Sequence, residues 1–259
     1  MGYLLLVILI IALFFTIAYW FQEKLIFFPE KLSPDFQFSF REPFVERNFI
    51  INSQVTINTL HFNAQNPKGI ILYFHGNAGN LQGWGGVADD FIIHHYDVLI
   101  IDYRGYGKST GKISEKSLFS DAQSIYNELK IEYTENNILI YGRSIGAGIA
   151  AWLASQNNPG MLILESPLYS LPDLAHQYYP WFPGKLIRFK FRNDLYIERV
   201  KCRVFIIHGA DDEIISVHAS YKLAEKLTPG DELTIVPGGH HNDLALFPEY
   251  HAFLAGILR

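Results

Sequence analysis

One cysteine, Cys202, is the whole thiol inventory of this 259-residue chain, and that excludes an intramolecular disulfide framework. Cys202 precedes an apolar run, the place of a small buried hydrophobe. Positive charge is also short. Against 26 Asp and Glu stand 21 Lys and Arg, a formal net charge of -5, so there is no overall basic field for nucleic acid. Internal repeats, low-complexity stretches and composition shifts marking a second folded domain are all missing. The knot His240, His241 and Asp243 lacks the distant partners that a metal site needs. Nothing in the sequence implies a metal or an organic cofactor.

What is present begins with one long hydrophobic run. From Tyr3 to Phe21 there is no charged residue, and Thr16 is the only strongly polar one. About 20 apolar residues are what a helix needs to cross a bilayer. Tyr19, Trp20, Phe27 and Phe28 supply interfacial aromatics at its exit. A cleaved signal peptide would call for a basic start and a small-x-small site before Gln22, and the run has neither. Myristoylation would call for Ser or Thr where Leu6 stands. A single-pass anchor over residues 1–22 is expected, then an irregular tether over 23–47 rich in Pro, Phe and charge. Lys24 and Lys31 are accompanied by Glu23 and Glu30, too even a flank to assign the side on which the rest lies.

With 49% hydrophobic residues, the remainder, 48–259, can bury one ample core. Strand-like apolar runs occupy 49–51, 56–62, 69–74, 98–101, 138–141, 161–164, 203–207 and 232–236. Helical periods occupy 83–94, 115–131, 144–156, 217–227 and 248–258. The later strands are almost wholly apolar, as parallel strands covered on both faces are, while the first two suit a hairpin. Such alternation predicts the α/β class with a mostly parallel, doubly wound sheet. The charges between apolar positions of 115–131 are ordinary helix amphipathicity.

Chemistry concentrates at strand ends. Ser144 stands in Gly142-Arg143-Ser144-Ile145-Gly146, after an apolar strand and before the small-residue helix that opens at Ala147. Strand, Gly-x-Ser-x-Gly, helix is a nucleophile-elbow context, in which a serine on a sharp turn needs neighbours without side chains. A serine hydroxyl needs a base to take its proton. His241, in Gly238-Gly239-His240-His241-Asn242-Asp243, follows the last strand, and Asp212, in His208-Gly209-Ala210-Asp211-Asp212-Glu213, follows the strand before it. The order Ser, Asp, His fits the elbow arrangement and not the other two large triad folds. The glycine-spaced loop His75-Gly76-Asn77-Ala78-Gly79-Asn80 exposes backbone amides, so an oxyanion hole is expected from the N–H groups of Asn77 and Ile145.

Other assignments compete at single positions. Asp211 is an alternative acid, with Asp212 the favoured one; Glu165, at another strand end, reads better as a loop contact. His240 is a neighbour of the base. His75 and His208 precede glycines at strand ends, where structural hydrogen bonding is the default, and Asp102 and Arg104 brace their loop.

These elements together, with Asp102-Tyr-Arg-Gly-Tyr-Gly-Lys-Ser109 and in this order, resemble the membrane-anchored serine hydrolases of the α/β-hydrolase superfamily. The resemblance covers most of 50–258. It is nearest to the abhydrolase-domain branch that includes eukaryotic protein depalmitoylases and related bacterial membrane hydrolases. It implies that the carboxylate before Glu in His-Gly-x-x-Asp-Glu, Asp212, is the acid and that the His of His-Asn-Asp, His241, is the base. The chain departs from the depalmitoylases in carrying a hydrophobic span instead of an N-terminal cysteine cluster, and in its doubled histidine.

In such a fold the excursion at about 168–202 is a lid insertion. Tyr178, Tyr179, Trp181 and Phe182 are candidate walls of an acyl pocket, with core packing or a lid hinge the other reading. Lys185, Arg188, Lys190 and Arg192, interleaved with apolar residues, read as a solvated helix face, with contact to anionic lipid headgroups the alternative. The expected function is hydrolysis of carboxylic esters or thioesters with lipophilic acyl groups through a Ser-His-Asp triad. The expected partners are a lipid-like or acylated-protein substrate and the membrane bilayer. A peptidase of the same fold and a non-catalytic binding protein on this scaffold are the rival readings.

Overall fold

The computed structural model describes residues 2–259. Helix α1 (Gly2–Ile26) carries the long apolar run. The strands of the main sheet are β1 (Phe44–Asn52), β2 (Val55–Phe62), β3 (Gly69–Phe74), β4 (Tyr96–Ile101), β5 (Ile138–Arg143), β6 (Met161–Glu165), β7 (Arg203–Gly209) and β8 (Glu232–Val236). Their spatial order is β8-β7-β6-β5-β3-β4-β2-β1. β1 and β2 form the antiparallel hairpin that the sequence suggests, β2 runs antiparallel to β4, and every other pairing is parallel. This is the α/β-hydrolase fold.

The apolar strands are buried on both faces for the reason the composition gives. On β3, Ile70, Leu72 and Phe74 point into one layer, and Ile71 and Tyr73 into the other. The first layer is closed by α2 (Glu115–Glu132) and α3 (Gly146–Gln156), the second by segment 81–92 and the C-terminal α6 (Pro248–Ile257). Ser114 caps α2 in a reciprocal capping box with Ser117. Between β7 and β8 lies the short α5 (His218–Ala224).

The insertion between β6 and β7 forms a cap. It opens with α4 (Leu171–Tyr178), whose N-cap Ser170 accepts from the Asp173 amide. After an aromatic turn, residues 187–192 form an irregular stretch, bent at Arg188 and with φ of +37° at Phe191, instead of the expected helix face. Ile187, Phe189 and Phe191 are buried while Arg188, Lys190 and Arg192 are partly exposed, a period of two. Glu115 holds this stretch on α2 by accepting from the amides of Lys190 (2.5 Å) and Phe191 (3.2 Å).

Two further expectations change. The helix expected at 83–94 is broken into Leu81–Trp84, a 3-10 turn and Asp89–Ile92, with the ring of Phe40 pressed where a Cβ on Gly85 would stand. Segment 23–47 is docked on the domain: Phe27 is buried, Phe28–Pro29 pairs in parallel with Ala78–Gly79, and β1 already begins at Phe44. Its aromatics have core partners, Phe27 on Phe189 (centroids 5.0 Å apart) and Phe40 on Phe62 (5.4 Å).

Candidate active site

All the loops that matter leave the carboxyl ends of parallel strands, the edge at which open α/β sheets bind their ligands. Ser144 follows β5 and enters α3 with φ of +56°, a left-handed backbone that a side chain-bearing residue rarely adopts. The turn is tight enough to explain its glycines. A Cβ on Gly142 would lie 2.5 Å from the Ala150 Cβ, and one on Gly146 would lie 2.6 Å from the His75 carbonyl oxygen. The Ser144 amide donates to the Glu165 carbonyl at 2.9 Å, pinning the elbow to the neighbouring strand end.

The structure brings Ser144, His241 and Asp212 together. His241 Nε2 is 3.1 Å from Ser144 Oγ, and His241 Nδ1 is 2.7 Å from Asp212 Oδ2. All three side chains are largely buried. Asp212 Oδ1 accepts from the backbone amides of Ile214 (2.9 Å) and Ile215 (2.7 Å), so the carboxylate is oriented from both sides. Burial acts to raise its pKa, but hydrogen bonds from His208 and His241 outweigh it and hold the carboxyl well below the usual range. The competing acid Asp211 is exposed, and Glu165 is engaged elsewhere. His240 turns to Glu213 (3.2 Å), and Asp243 accepts from the His240 amide (2.7 Å).

Asn77 and Ile145 line the same cavity as Ser144, and neither backbone N–H has an acceptor among the described residues. Asn77 itself is tightly held. Its carbonyl accepts from the Phe28 amide (2.9 Å) and the Tyr106 hydroxyl (2.6 Å), and its side chain donates to the Ile26 carbonyl (3.1 Å).

The cavity over Ser144 is about 560 Å³ and largely apolar. Tyr178, Tyr179 and Phe182 line it together with Leu171, Leu174 and Ile187. Trp181 does not; it is 59% exposed and packs on Phe14 of α1, with ring centroids 5.9 Å apart. No carboxylate side chain lines the cavity among the described residues.

Two contributors, Arg143 and α1, go unread in the sequence, and a third, His208, reads there only as a structural hydrogen-bonder. Arg143 pairs with Glu165 (3.1 Å) and donates to the His241 carbonyl (3.0 Å) and Asn242 Oδ1 (3.1 Å), fastening the base-bearing loop to the elbow. Glu165 in turn accepts from the Tyr141 hydroxyl (2.6 Å). His208 reaches Asp212 Oδ2 (3.1 Å) from beneath. Ala18, Gln22, Leu25 and Ile26 of α1 form a cavity wall. The adjacency of Arg143 to the serine was the one available signal for the first; the other two arise only from tertiary contact.

A fold of this order with a buried Ser–His–Asp chain at its strand ends defines a hydrolase scaffold, and the comparisons agree. A sequence profile described as serine aminopeptidase, S33, matches residues 65–192. The chain is 36% identical over 186 residues to the alpha/beta hydrolase domain-containing protein aho-3 of Caenorhabditis elegans, covering 70% of this chain and 54% of that protein. It is 33% identical over 181 residues to the lysophosphatidylserine lipase ABHD12 of Rattus norvegicus, covering 62% and 46% respectively. The esterase Pf2001 of Pyrococcus furiosus superposes with a TM-score of 0.68 at 20% identity, over 89% of this chain and 97% of that one, a likeness of fold. The chain belongs to the α/β-hydrolase superfamily. It spans about half the length of the curated relatives it matches.

Proposed function

We propose that this protein is a membrane-anchored serine hydrolase that cleaves carboxylic esters or thioesters carrying lipophilic acyl groups. The observation that carries the reading is the hydrogen-bonded chain Ser144–His241–Asp212, at 3.1 and 2.7 Å, opening into an apolar cavity. Ser144 Oγ attacks the acyl carbonyl while its proton passes to His241 Nε2, and Asp212 stabilises the imidazolium. The tetrahedral oxyanion takes the amides of Asn77 and Ile145. As the bond to the leaving oxygen or sulfur breaks, His241 returns the proton to it. Water, deprotonated by His241, then attacks the acyl-enzyme and releases the carboxylic acid and the serine. The lipase named among the relatives supports an ester of lipid type.

The serine aminopeptidase description of the matching profile favours a second reading, peptide hydrolysis. An aminopeptidase must hold a substrate ammonium, and the cavity wall offers no carboxylate to pair with it, which weighs for the acyl ester. Anchoring is supported by the 25-residue α1, whose apolar side chains are exposed along most of its length. A removable leader would have no reason to wall the cavity.

A substrate panel tests the proposal. Full-length protein is expected to turn over acyl esters at least 10³-fold faster than Ser144→Ala or His241→Ala protein, with no turnover of aminoacyl amides. Ester turnover undiminished in Ser144→Ala, or amide turnover exceeding ester turnover, would reject it.

A further inference from the structure

The anchor helix is built into the cavity. Its partly or fully shielded positions are Phe15, Ala18, Gln22, Glu23 and Ile26, a stripe at helical spacing with Glu23 at its edge, on an otherwise exposed rod. The stripe faces the cap. Phe15 packs on Phe182 with centroids 5.7 Å apart, and Gln22 is clamped in both directions, accepting from the Arg188 amide (2.6 Å) and donating to the Leu186 carbonyl (3.1 Å). Ala18, the smallest side chain of the stripe, leaves open the space that Leu174, Ala175 and Phe182 border from the cap.

These contacts constrain how the molecule meets a bilayer. Residues 2–21 make ~30 Å of helix, one hydrocarbon thickness. With the cap outside the hydrocarbon, the exposed apolar side chains of Ile17, Trp20 and Phe21 would be left in water. A spanning α1 therefore carries the cap tip with it, and Phe14 and Phe15 sit ~10 Å inside the exit at Phe21. The exposed aromatics there, Tyr179 and Trp181, are suited to lipid contact.

We infer that the slot between α1 and the cap is the acyl-chain site, taking one saturated or unsaturated chain of a membrane lipid ester that enters sideways from the leaflet, with Ala18 setting how long a chain is accepted. This rests on the anchored-hydrolase reading above. It makes α1 a specificity element as well as a tether. The ester carbonyl lies at Ser144, the tail runs past Leu174 and Ala18, and the headgroup stays toward water. Counted from water, each methylene held in the slot adds roughly fourfold in affinity.

Two measurements on the full-length chain in phosphatidylcholine nanodiscs test this. The first is the ratio of kcat/KM for twelve-carbon to four-carbon p-nitrophenyl esters. Ala18→Trp is expected to lower that ratio at least tenfold, and Leu13→Trp, on the opposite helix face, to leave it within twofold; equal ratios in wild type and Ala18→Trp overturn the inference. The second needs no turnover: Ser144→Ala protein is photolabelled with a twelve-carbon fatty ester bearing a terminal diazirine. Label on residues 18–26 supports the slot, including in the case that wild type turns over no ester and the hydrolase reading alone fails. Label confined to other segments overturns the slot while leaving that reading intact.

Discussion

His208 and His241 share one oxygen of Asp212: the carboxylate Oδ2 lies 3.1 Å from His208 Nε2 and 2.7 Å from His241 Nδ1, and the His208 and Asp212 side chains have no solvent exposure. The Ile215 carbonyl, which can only accept, lies 2.8 Å from His208 Nε2 and with the Asp212 carboxylate requires the proton on that nitrogen, while Nδ1 meets the Ser220 hydroxyl at 2.7 Å. With two backbone amides on Oδ1, the carboxylate is fully committed before any substrate arrives. A preset acid keeps the base in one tautomer.

The first prediction concerns pH. Burial opposes the ionised form of Asp212, but its histidine and amide donors depress its pKa on folding. A depressed carboxyl contributes stability that is fully present above its unfolded value of ~3.9 and is lost as pH falls through the folded value. The urea midpoints of wild type and Asp212→Asn are expected to differ by a constant amount from pH 7 down to about pH 4 and to converge below it. A gap that persists unchanged into strong acid would contradict the assignment of these donors.

Ser144→Gly separates strain from chemistry. At φ of +56° the serine backbone is strained, and glycine adopts that conformation freely. Ser144→Gly is expected to be inactive but more thermostable than Ser144→Ala, by ~1 kcal/mol in chemical unfolding. Equal stability of the two would mean that the elbow stores no strain.

Much of this arrangement was legible in the chain and some was not. Strands β3, β5, β6 and β7 announce themselves because a parallel strand covered on both faces is a short apolar run with a turn after it, and Ser144, Asp212 and Asn77 each lie just past one. The stretch 187–192 misled because its alternation is only six residues long and rich in long cationic side chains, which suit a helix face as well. Segment 23–47 has no period at all, so the burial of Phe27 against Phe189 and the packing of Phe40 on Phe62 come from partners more than twenty residues away. The role of α1 as a cavity wall is of the same kind. A run of uniformly apolar residues carries no mark of the one face that meets protein.

Arg143 is a positioning residue with a separable structural part. Removing it leaves Glu165 as an uncompensated buried carboxylate, so Arg143→Met is expected to destabilise the fold by ~3–5 kcal/mol. The double variant Arg143→Met/Glu165→Gln should recover most of that stability. Its kcat should remain at least tenfold low with KM little changed, because the His241 loop has lost the guanidinium on its carbonyl. Full recovery of kcat in the double variant would show Arg143 to be purely structural.

The elbow glycine gives a sharper steric case. A Cβ on Gly146 would strike the backbone carbonyls of Phe74 and His75, which belong to the central strand and its loop and cannot give way. Gly146→Ala is expected to cost at least ~3 kcal/mol in chemical unfolding, whereas Gly256→Ala, with open space around it on α6, should be neutral or stabilising by up to ~1 kcal/mol. Similar effects at the two sites would reject the close approach of α3 to β3.

The most direct test of the central claim is intact-protein and peptide mass spectrometry after treatment with a fluorophosphonate. An activated serine is phosphonylated; a passive one is not. A single stoichiometric adduct on Ser144 is expected in wild type, and none in Ser144→Ala or in folded His241→Ala protein. An adduct at another residue, or no adduct on folded wild type, would contradict it.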